Sequence, residues 1–287
     1  MTVTIPEWFT WALDQAPSYF EIDVDGTSIH YRAWGEKGNP MIVLVHGGGA
    51  HSGWWDHVGP HLAEHHRVVA LDLAGHGDSG HQNEYSLENW ADHVMAVAGA
   101  ESNEKPIIVG HSMGGFVALT AAREHGDKLH GVAVIDSPVK EMSVETREWY
   151  RQQLQERPDR SYASKDDIVS RFRTIPEEPG QLPYVHRHIA EQSVKERADG
   201  WVWKFDLNVF LDSSMNPDQV AQAGCEVALI RGENGLATID ITSDVLERLG
   251  GRAPVTVILE AAHHIMLDQP VALIAVLQTL AGQWRTR

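Results

Sequence analysis

A chain of 287 residues, 43% hydrophobic and 22% charged, is long enough for one large α/β domain with a modest insertion, and this composition excludes disorder, a fibrous protein and a coiled coil. The formal net charge of −17 is spread along the chain and leaves no basic footprint for a phosphate backbone, so nucleic acid is not an expected partner. The single cysteine, Cys225, rules out an intrachain disulfide and suits a reducing cytoplasm; Met1–Glu7 lacks an export leader's basic and apolar regions, and no apolar run approaches the roughly 20 residues that span a bilayer, so membrane insertion is not expected.

A short helix carrying Trp8, Phe9, Trp11 and Leu13 leads into Phe20–Val24 and Ile29–Trp34, which alternate apolar and polar residues around Asp25-Gly26 and predict a hairpin. Met41–Val45 is an almost continuous apolar run, the pattern of a strand covered on both faces, and Val68–Leu71, Ile107–Val109 and Val132–Ile135 repeat it. Helix-like stretches lie between them. The alternation predicts βαβ units in a mostly parallel, doubly wound sheet with the hairpin at one edge.

After Pro138 the pattern stops for roughly 80 residues, too many for a structureless loop, so 139–220 is expected to be a helical insertion. The alternation resumes with Val227–Ile230, a helix over Ile241–Leu249, the run Val255–Leu259 and a last helix from about Val271. The core is thus expected to be 1–138 with 221–287, one domain interrupted late in its sheet. Seventeen histidines invite a metal reading, and His61, His65 and His66 have helix-face spacing; no acidic or cysteine partner completes a ligand set nearby, so a solvated helix face and no metal site are expected.

Gly110-His111-Ser112-Met113-Gly114-Gly115 follows an apolar strand and precedes an amphipathic helix, the context of a nucleophile elbow with Ser112 at its apex. Gly110 and Gly114 are needed where strand and helix approach closely. A serine hydroxyl needs a base to take its proton, and a tetrahedral intermediate needs donors for its oxyanion. His46-Gly47-Gly48-Gly49 directly follows the Met41–Val45 strand and can bring a backbone N–H to the elbow. The oxyanion hole is assigned to the Gly48 and Met113 N–H groups, with Gly47 as the alternative.

These segments, with Asp72-Leu73-Ala74-Gly75-His76-Gly77-Asp78-Ser79 between them, resemble the α/β-hydrolase superfamily in its serine-esterase-like branch. The resemblance covers nearly the whole chain. It implies an eight-stranded, mostly parallel doubly wound sheet with a helical cap inserted after the sixth strand, and a histidine after the last strand. Ala262-His263-His264-Ile265-Met266-Leu267-Asp268-Gln269-Pro270 offers two; the family register selects His263 and leaves His264 as a pocket-lining or hydrogen-bonding neighbour. The commonest family position for the acid, three residues after the glycine ending the seventh strand, is Gly235 here. A minority of members carry it after the sixth strand, which selects Asp136, with Glu233 and Asp240 left open.

The resemblance then implies a cofactor-independent carboxylic ester hydrolase acting on a small to medium, largely apolar ester. Lactonase, thioesterase, amidase or carbon–carbon bond hydrolysis use the same machinery, and a catalytically silent binding protein is the contrasting class. Gly49, His264, Trp201 and Trp203 are the candidate substrate contacts, although aromatics in a small cap also serve as its own packing core. The glycines of Asp72–Gly80 lack the Gly-Lys-Ser/Thr of a phosphate loop, and no Gly-x-Gly-x-x-Gly follows the first parallel strand, so no nucleotide cofactor is expected.

Overall fold

The structure is a computed structural model that describes residues 4–285 apart from 142, 146, 150–151, 153–159 and 212–213. Part of the 139–220 insertion therefore lies outside the described residues. Helix α1 (Glu7–Asp14) precedes the hairpin β1 (Ser18–Val24) and β2 (Thr27–Trp34). There follow β3 (Met41–Val45), α2 (Gly59–Leu62), β4 (Arg67–Leu71), α3 (Leu87–Glu101), β5 (Ile107–His111), α4 (Met113–His125) and β6 (Gly131–Ile135).

The insertion contains α5 (Lys165–Val169), α6 (Pro183–Gln192), β7 (Val194–Arg197) and β8 (Gly200–Trp203). The core resumes with β9 (Glu226–Gly232), α7 (Ile239–Arg248), β10 (Val255–Ile258), α8 (Ile265–Asp268) and α9 (Pro270–Arg285).

Eight strands form one sheet in the order β1-β2-β4-β3-β5-β6-β9-β10. Within this sheet, among the described residues, β1–β2 and β2–β4 pair antiparallel and the other neighbours pair parallel. The apolar runs earn their places: β3, β4, β5 and β6 are buried at every residue, as strands covered on both faces must be. On one face Trp90, Val94, Val117 and Val245 join a core from α3, α4 and α7, and on the other Phe9, Leu62, Leu277 and Trp284 join one from α1, α2 and α9. β1 alternates exposed and half-buried residues, which suits a sheet edge.

Two local expectations change. The strand expected to reach Leu259 ends at Ile258, because Glu260 turns the chain with φ +60°. The helix carrying His61 ends at Leu62, so the three histidines share no helix face, and His66 is buried with Nδ1 against the Leu62 carbonyl at 3.2 Å instead of solvated. Among the described residues no helix is long and apolar enough to cross a membrane.

The insertion also holds an antiparallel ribbon that the helical expectation did not include. β7 and β8 pair from Val194↔Trp203 to Arg197↔Gly200, and Gly200 sits at φ +126° where a side chain would press on the Tyr162 carbonyl. The charged stretch Lys195-Glu196-Arg197 hid the strand, since solvent-facing charges read equally well as helix.

The insertion is stitched to the loops that leave the carboxyl ends of the parallel strands. The Gly77 N–H donates to Lys204 O at 2.7 Å and the Asp206 N–H to Gly75 O at 2.8 Å. The Leu182 N–H reaches Leu267 O at 2.8 Å, and His188 Nε2 lies 2.9 Å from Asp56 Oδ2. In an open parallel sheet this is the end where ligands bind.

Candidate active site

Strand β5 and helix α4 meet at Ser112, whose φ of 53° and ψ of −119° place it in a backbone conformation that L-residues adopt at a cost. Packing imposes the turn. A Cβ at Gly110 would overlap the Gly114 carbonyl, and one at Gly114 would press on the Val45 and His46 carbonyls of β3 and its loop. Ser112 holds the N-cap position of α4, yet its hydroxyl caps no helix N–H. The hydroxyl is thereby left for another partner.

That partner is His263. Its Nε2 lies 3.0 Å from Ser112 Oγ, and its Nδ1 lies 2.7 Å from Asp136 Oδ2. The carboxylate accepts a hydrogen bond from the Nδ1–H, which keeps the ring proton on Nδ1, so Nε2 presents a lone pair to the serine hydroxyl. Ser112 is half-buried, whereas His263 is 2% exposed and Asp136 fully buried.

Asp136 leaves the end of β6 at φ +43°, and three donors converge on its carboxylate: the Gly232 N–H at 3.1 Å, the Leu236 N–H at 2.7 Å and His263. The competing acids are elsewhere. Glu233 is exposed and accepts from the Glu260 N–H at 2.9 Å, and Asp240 is exposed in the first turn of α7. Cys225 lies half-buried just before β9, its thiol pushed up to about 12 by burial and then by Glu226, which keeps it from being a thiolate nucleophile.

The His46–Gly49 loop borders the same space. A Cβ on Gly47 would stand 3.2 Å from Ser112 Cβ, which measures how closely the loop approaches the elbow. Gly48 is exposed, and no described residue accepts a hydrogen bond from the Gly48 or Met113 N–H. The loop rests on the Asp72–Ser79 turn: the Leu73 N–H donates to His46 Nε2 at 3.1 Å, and the His46 and His76 rings lie 4.9 Å apart.

Sequence reasoning missed several neighbours. His111 Nε2–H donates to the His263 carbonyl at 2.9 Å, and burial, followed by His263 and His264, pushes its pKa well below the usual value, so it stays neutral. Glu178, on the insertion loop between α5 and α6, binds the His263–His264 segment. Nothing in Pro176-Glu177-Glu178-Pro179 separates it from its neighbour Glu177. Phe210 of the insertion lies over the His46–Gly49 loop, where a Cβ on Gly48 or Gly49 would meet its ring at 2.9 and 3.2 Å.

The candidate substrate contacts divide. His264 is 4% exposed, 4.8 Å from the His263 ring and 5.6 Å from Trp54, and Gly49 lies under Phe210. Trp203 joins this aromatic run through Phe172, which is 6.0 Å from it and 6.4 Å from Trp54. Trp201 is paired instead with Tyr162, under the Lys165 ammonium at 5.8 Å.

Among the described residues one cluster, His30, Asp72 and Asp78, has metal-ligand spacing. It is already saturated: Asp72 accepts from His30, the Ser52 N–H and the Asp78 N–H, and Lys204 Nζ holds Asp78 at 2.7 Å. Burial would raise the Asp72 pKa, but these hydrogen bonds and the neighbouring histidines hold it far below the carboxylate range. The cluster ties the Asp72–Ser79 turn to the core.

A doubly wound sheet with a strained serine at the strand-to-helix turn, opposite a late histidine, defines a hydrolase of the α/β kind. The chain belongs to the alpha/beta hydrolase family, whose sequence model matches residues 42–276. It is 25% identical to a serine hydrolase-like protein of Danio rerio, over 96% of this chain and 91% of that one. It is 26% identical to the Mycobacterium tuberculosis esterase Rv0045c, over 89% and 87%. The solved structure of that esterase superposes with a TM-score of 0.76 at 21% identity, covering 97% of this chain and 100% of the other. E-2-(acetamidomethylene)succinate hydrolase superposes with a TM-score of 0.80 at 18% identity, over 92% and 98%.

Proposed function

We propose that this protein is a serine esterase that hydrolyses small to medium, largely apolar carboxylic esters through an acyl-enzyme on Ser112. The observation that carries the reading is the unbroken chain from Ser112 Oγ to His263 to the buried Asp136, at 3.0 and 2.7 Å. The similarity to an esterase at 26% identity supports the same class of bond.

In this reading His263 Nε2 accepts the Ser112 proton as Oγ bonds to the ester carbonyl carbon. The carbonyl electron pair moves to oxygen, and the oxyanion is held by the Gly48 and Met113 N–H groups. The imidazolium, stabilised by Asp136, returns its proton to the leaving alkoxide as the carbon–oxygen bond breaks. Water then gives a proton to His263 and attacks the acyl-enzyme, and the carboxylic acid leaves as Ser112 regains its proton. Water is the only co-reactant, so the chemistry needs no cofactor.

The insertion acts as a cap on this site. Phe210 over the oxyanion loop, and Trp54, Phe172 and Trp203 running from His264 into the insertion, support an apolar substrate of limited size.

The test is a p-nitrophenyl ester chain-length series with wild type and Ser112→Ala, beside labelling by a fluorophosphonate probe. Hydrolysis with label on Ser112, both lost in the variant, is the expected result. Undiminished turnover by Ser112→Ala would refute the mechanism.

A further inference from the structure

His263 stands between β10 and α8, where no sheet or helix hydrogen bonds hold its backbone. Side chains take over that work. The His263 carbonyl accepts from His111 at 2.9 Å, and the His263 N–H donates to Glu178 Oε1 at 2.7 Å. The other Glu178 oxygen, Oε2, accepts from the His264 N–H at 3.2 Å and from His264 Nδ1 at 2.9 Å. One carboxylate therefore satisfies three donors on two consecutive residues. The peptide unit that carries the catalytic imidazole is gripped from the elbow on one side and from the insertion on the other.

Glu178 suits the task chemically. Burial alone would raise its pKa, but the hydrogen bonds from His264 and from the His263 N–H outweigh it, and the group is held ionised below the usual carboxylate value. Charge-assisted bonds of this kind are shorter and stronger than neutral ones. His264, pushed below its ordinary pKa by burial against the opposing pull of Glu178, is neutral and donates from Nδ1. A second tie from the same part of the insertion, the Leu182 N–H on the Leu267 carbonyl at 2.8 Å, fixes the chain on the far side of His264.

We propose that Glu178 is a positioning residue for the esterase reaction: the insertion holds the His263–His264 backbone through this carboxylate, and so keeps the His263 imidazole in line between Ser112 and Asp136. The proposal rests on the serine-esterase reading above. It makes the insertion part of the chemistry as well as a wall for substrate. Without Glu178 two N–H groups in a nearly buried segment lose their acceptor, and the segment must shift to find another. A displacement of an ångström at a proton-transfer group is enough to slow turnover by about a hundredfold.

The test compares Glu178→Ala, Glu178→Gln and Glu177→Ala with wild type, reading kcat and KM on p-nitrophenyl acetate, the rate of fluorophosphonate labelling and the melting temperature. Glu178→Ala is expected to lower kcat and the labelling rate by about 10- to 100-fold with KM changed less than about twofold. Glu178→Gln keeps an acceptor oxygen and is expected to recover part of the loss; it also answers the question if the alanine variant does not fold. Glu177→Ala, whose side chain faces Arg173 at the surface, is expected to behave as wild type.

Wild-type kcat in Glu178→Ala, a rise in KM alone, or an equal loss in Glu177→Ala overturns the proposal. Ser112→Ala run in parallel separates the two levels. If it keeps wild-type turnover, the esterase reading falls and the proposal with it; if it is inactive while Glu178→Ala is not, only the role of Glu178 falls.

Discussion

Gly235 and Asp136 compete for one volume: a Cβ built on Gly235 would lie inside the Asp136 carboxylate. Gly235 holds the position that the commonest superfamily pattern gives to its acid, and the Asp136 carboxylate from the end of β6 fills the space beside it. Gly235 does not need a positive φ, and the three nearest atoms that an alanine methyl would meet all belong to Asp136. Gly235→Ala is therefore expected to destabilise the protein by about 1–3 kcal/mol through overpacking, and to lower kcat on p-nitrophenyl acetate about tenfold or more by displacing the carboxylate from His263. In an Asp136→Gly background the same substitution should cost almost nothing. Urea unfolding and kcat for the four proteins give the coupling, and additive effects would show that the two positions do not share this space.

Asp136→Asn preserves the shape but puts an amide against His263 Nδ1. The Gly232 N–H donates to Oδ1 at 3.1 Å, while the Leu236 N–H and His263 Nδ1 share Oδ2 at 2.7 Å each, so either orientation of the amide sets its NH2 against a donor N–H, and with the NH2 in the Oδ2 position it also faces the imidazole. The ring then takes the tautomer with its proton on Nε2, which cannot accept from Ser112. A fall of about 10⁴ in kcat at neutral pH is expected, with the fold intact by circular dichroism. A loss of less than about tenfold would remove Asp136 from the mechanism.

The parts of this site that were legible in the sequence are those in which local geometry dictates residue type. Gly110 and Gly114 mark the elbow because backbone crosses backbone there, and the apolar runs mark the strands because both faces are covered. Asp136 follows from the superfamily resemblance, in which a minority of members carry the acid after the sixth strand, because Gly235 stands where the commoner pattern puts it. Glu178 and Phe210 were not legible, since each reaches the site across a long sequence separation and an exposed-looking Glu-Glu pair or a lone phenylalanine carries no periodic mark; His111 lies in the elbow itself, but its bond to the His263 carbonyl joins residues 152 apart. The β7–β8 ribbon was missed for a related reason, since its alternation is masked by three consecutive charged residues.

Phe210 lies over Gly48 and Gly49, so under the proposed esterase function it would limit how far an acyl or alcohol group extends past that loop. Phe210→Ala is expected to shift the p-nitrophenyl ester optimum toward longer acyl chains, changing the ratio of kcat/KM between octanoate and acetate by about tenfold or more. The glycines beneath it need no change, because the truncation only opens space above them. An unchanged chain-length profile would place the size limit elsewhere, and the Trp54, Phe172 and Trp203 run would become the next set to truncate.

Buried neutral histidines give the fold a pH dependence separate from that of catalysis. Burial lowers His51 to about 3 and His57 to about 4 from an ordinary 6.5, and His51 Nε2 bonds Ser193 Oγ at 2.9 Å while His57 Nε2–H donates to the Met266 carbonyl at 2.7 Å. As pH falls, the unfolded chain binds these protons first. Their contribution is complete above about pH 6.5, declines as pH drops through that value, and stops declining only below the folded values. Between pH 7.5 and 5.5 each should remove about 1.3 kcal/mol of stability, and His46, His76 and His111, lowered for the same reason, add to the slope. Urea midpoints measured across that range should fall steeply. His57→Gln, which retains a donor for Met266 but cannot titrate, should flatten the slope by one histidine's share; an unaltered slope would mean that His57 takes up its proton as readily in the folded protein as in the unfolded chain.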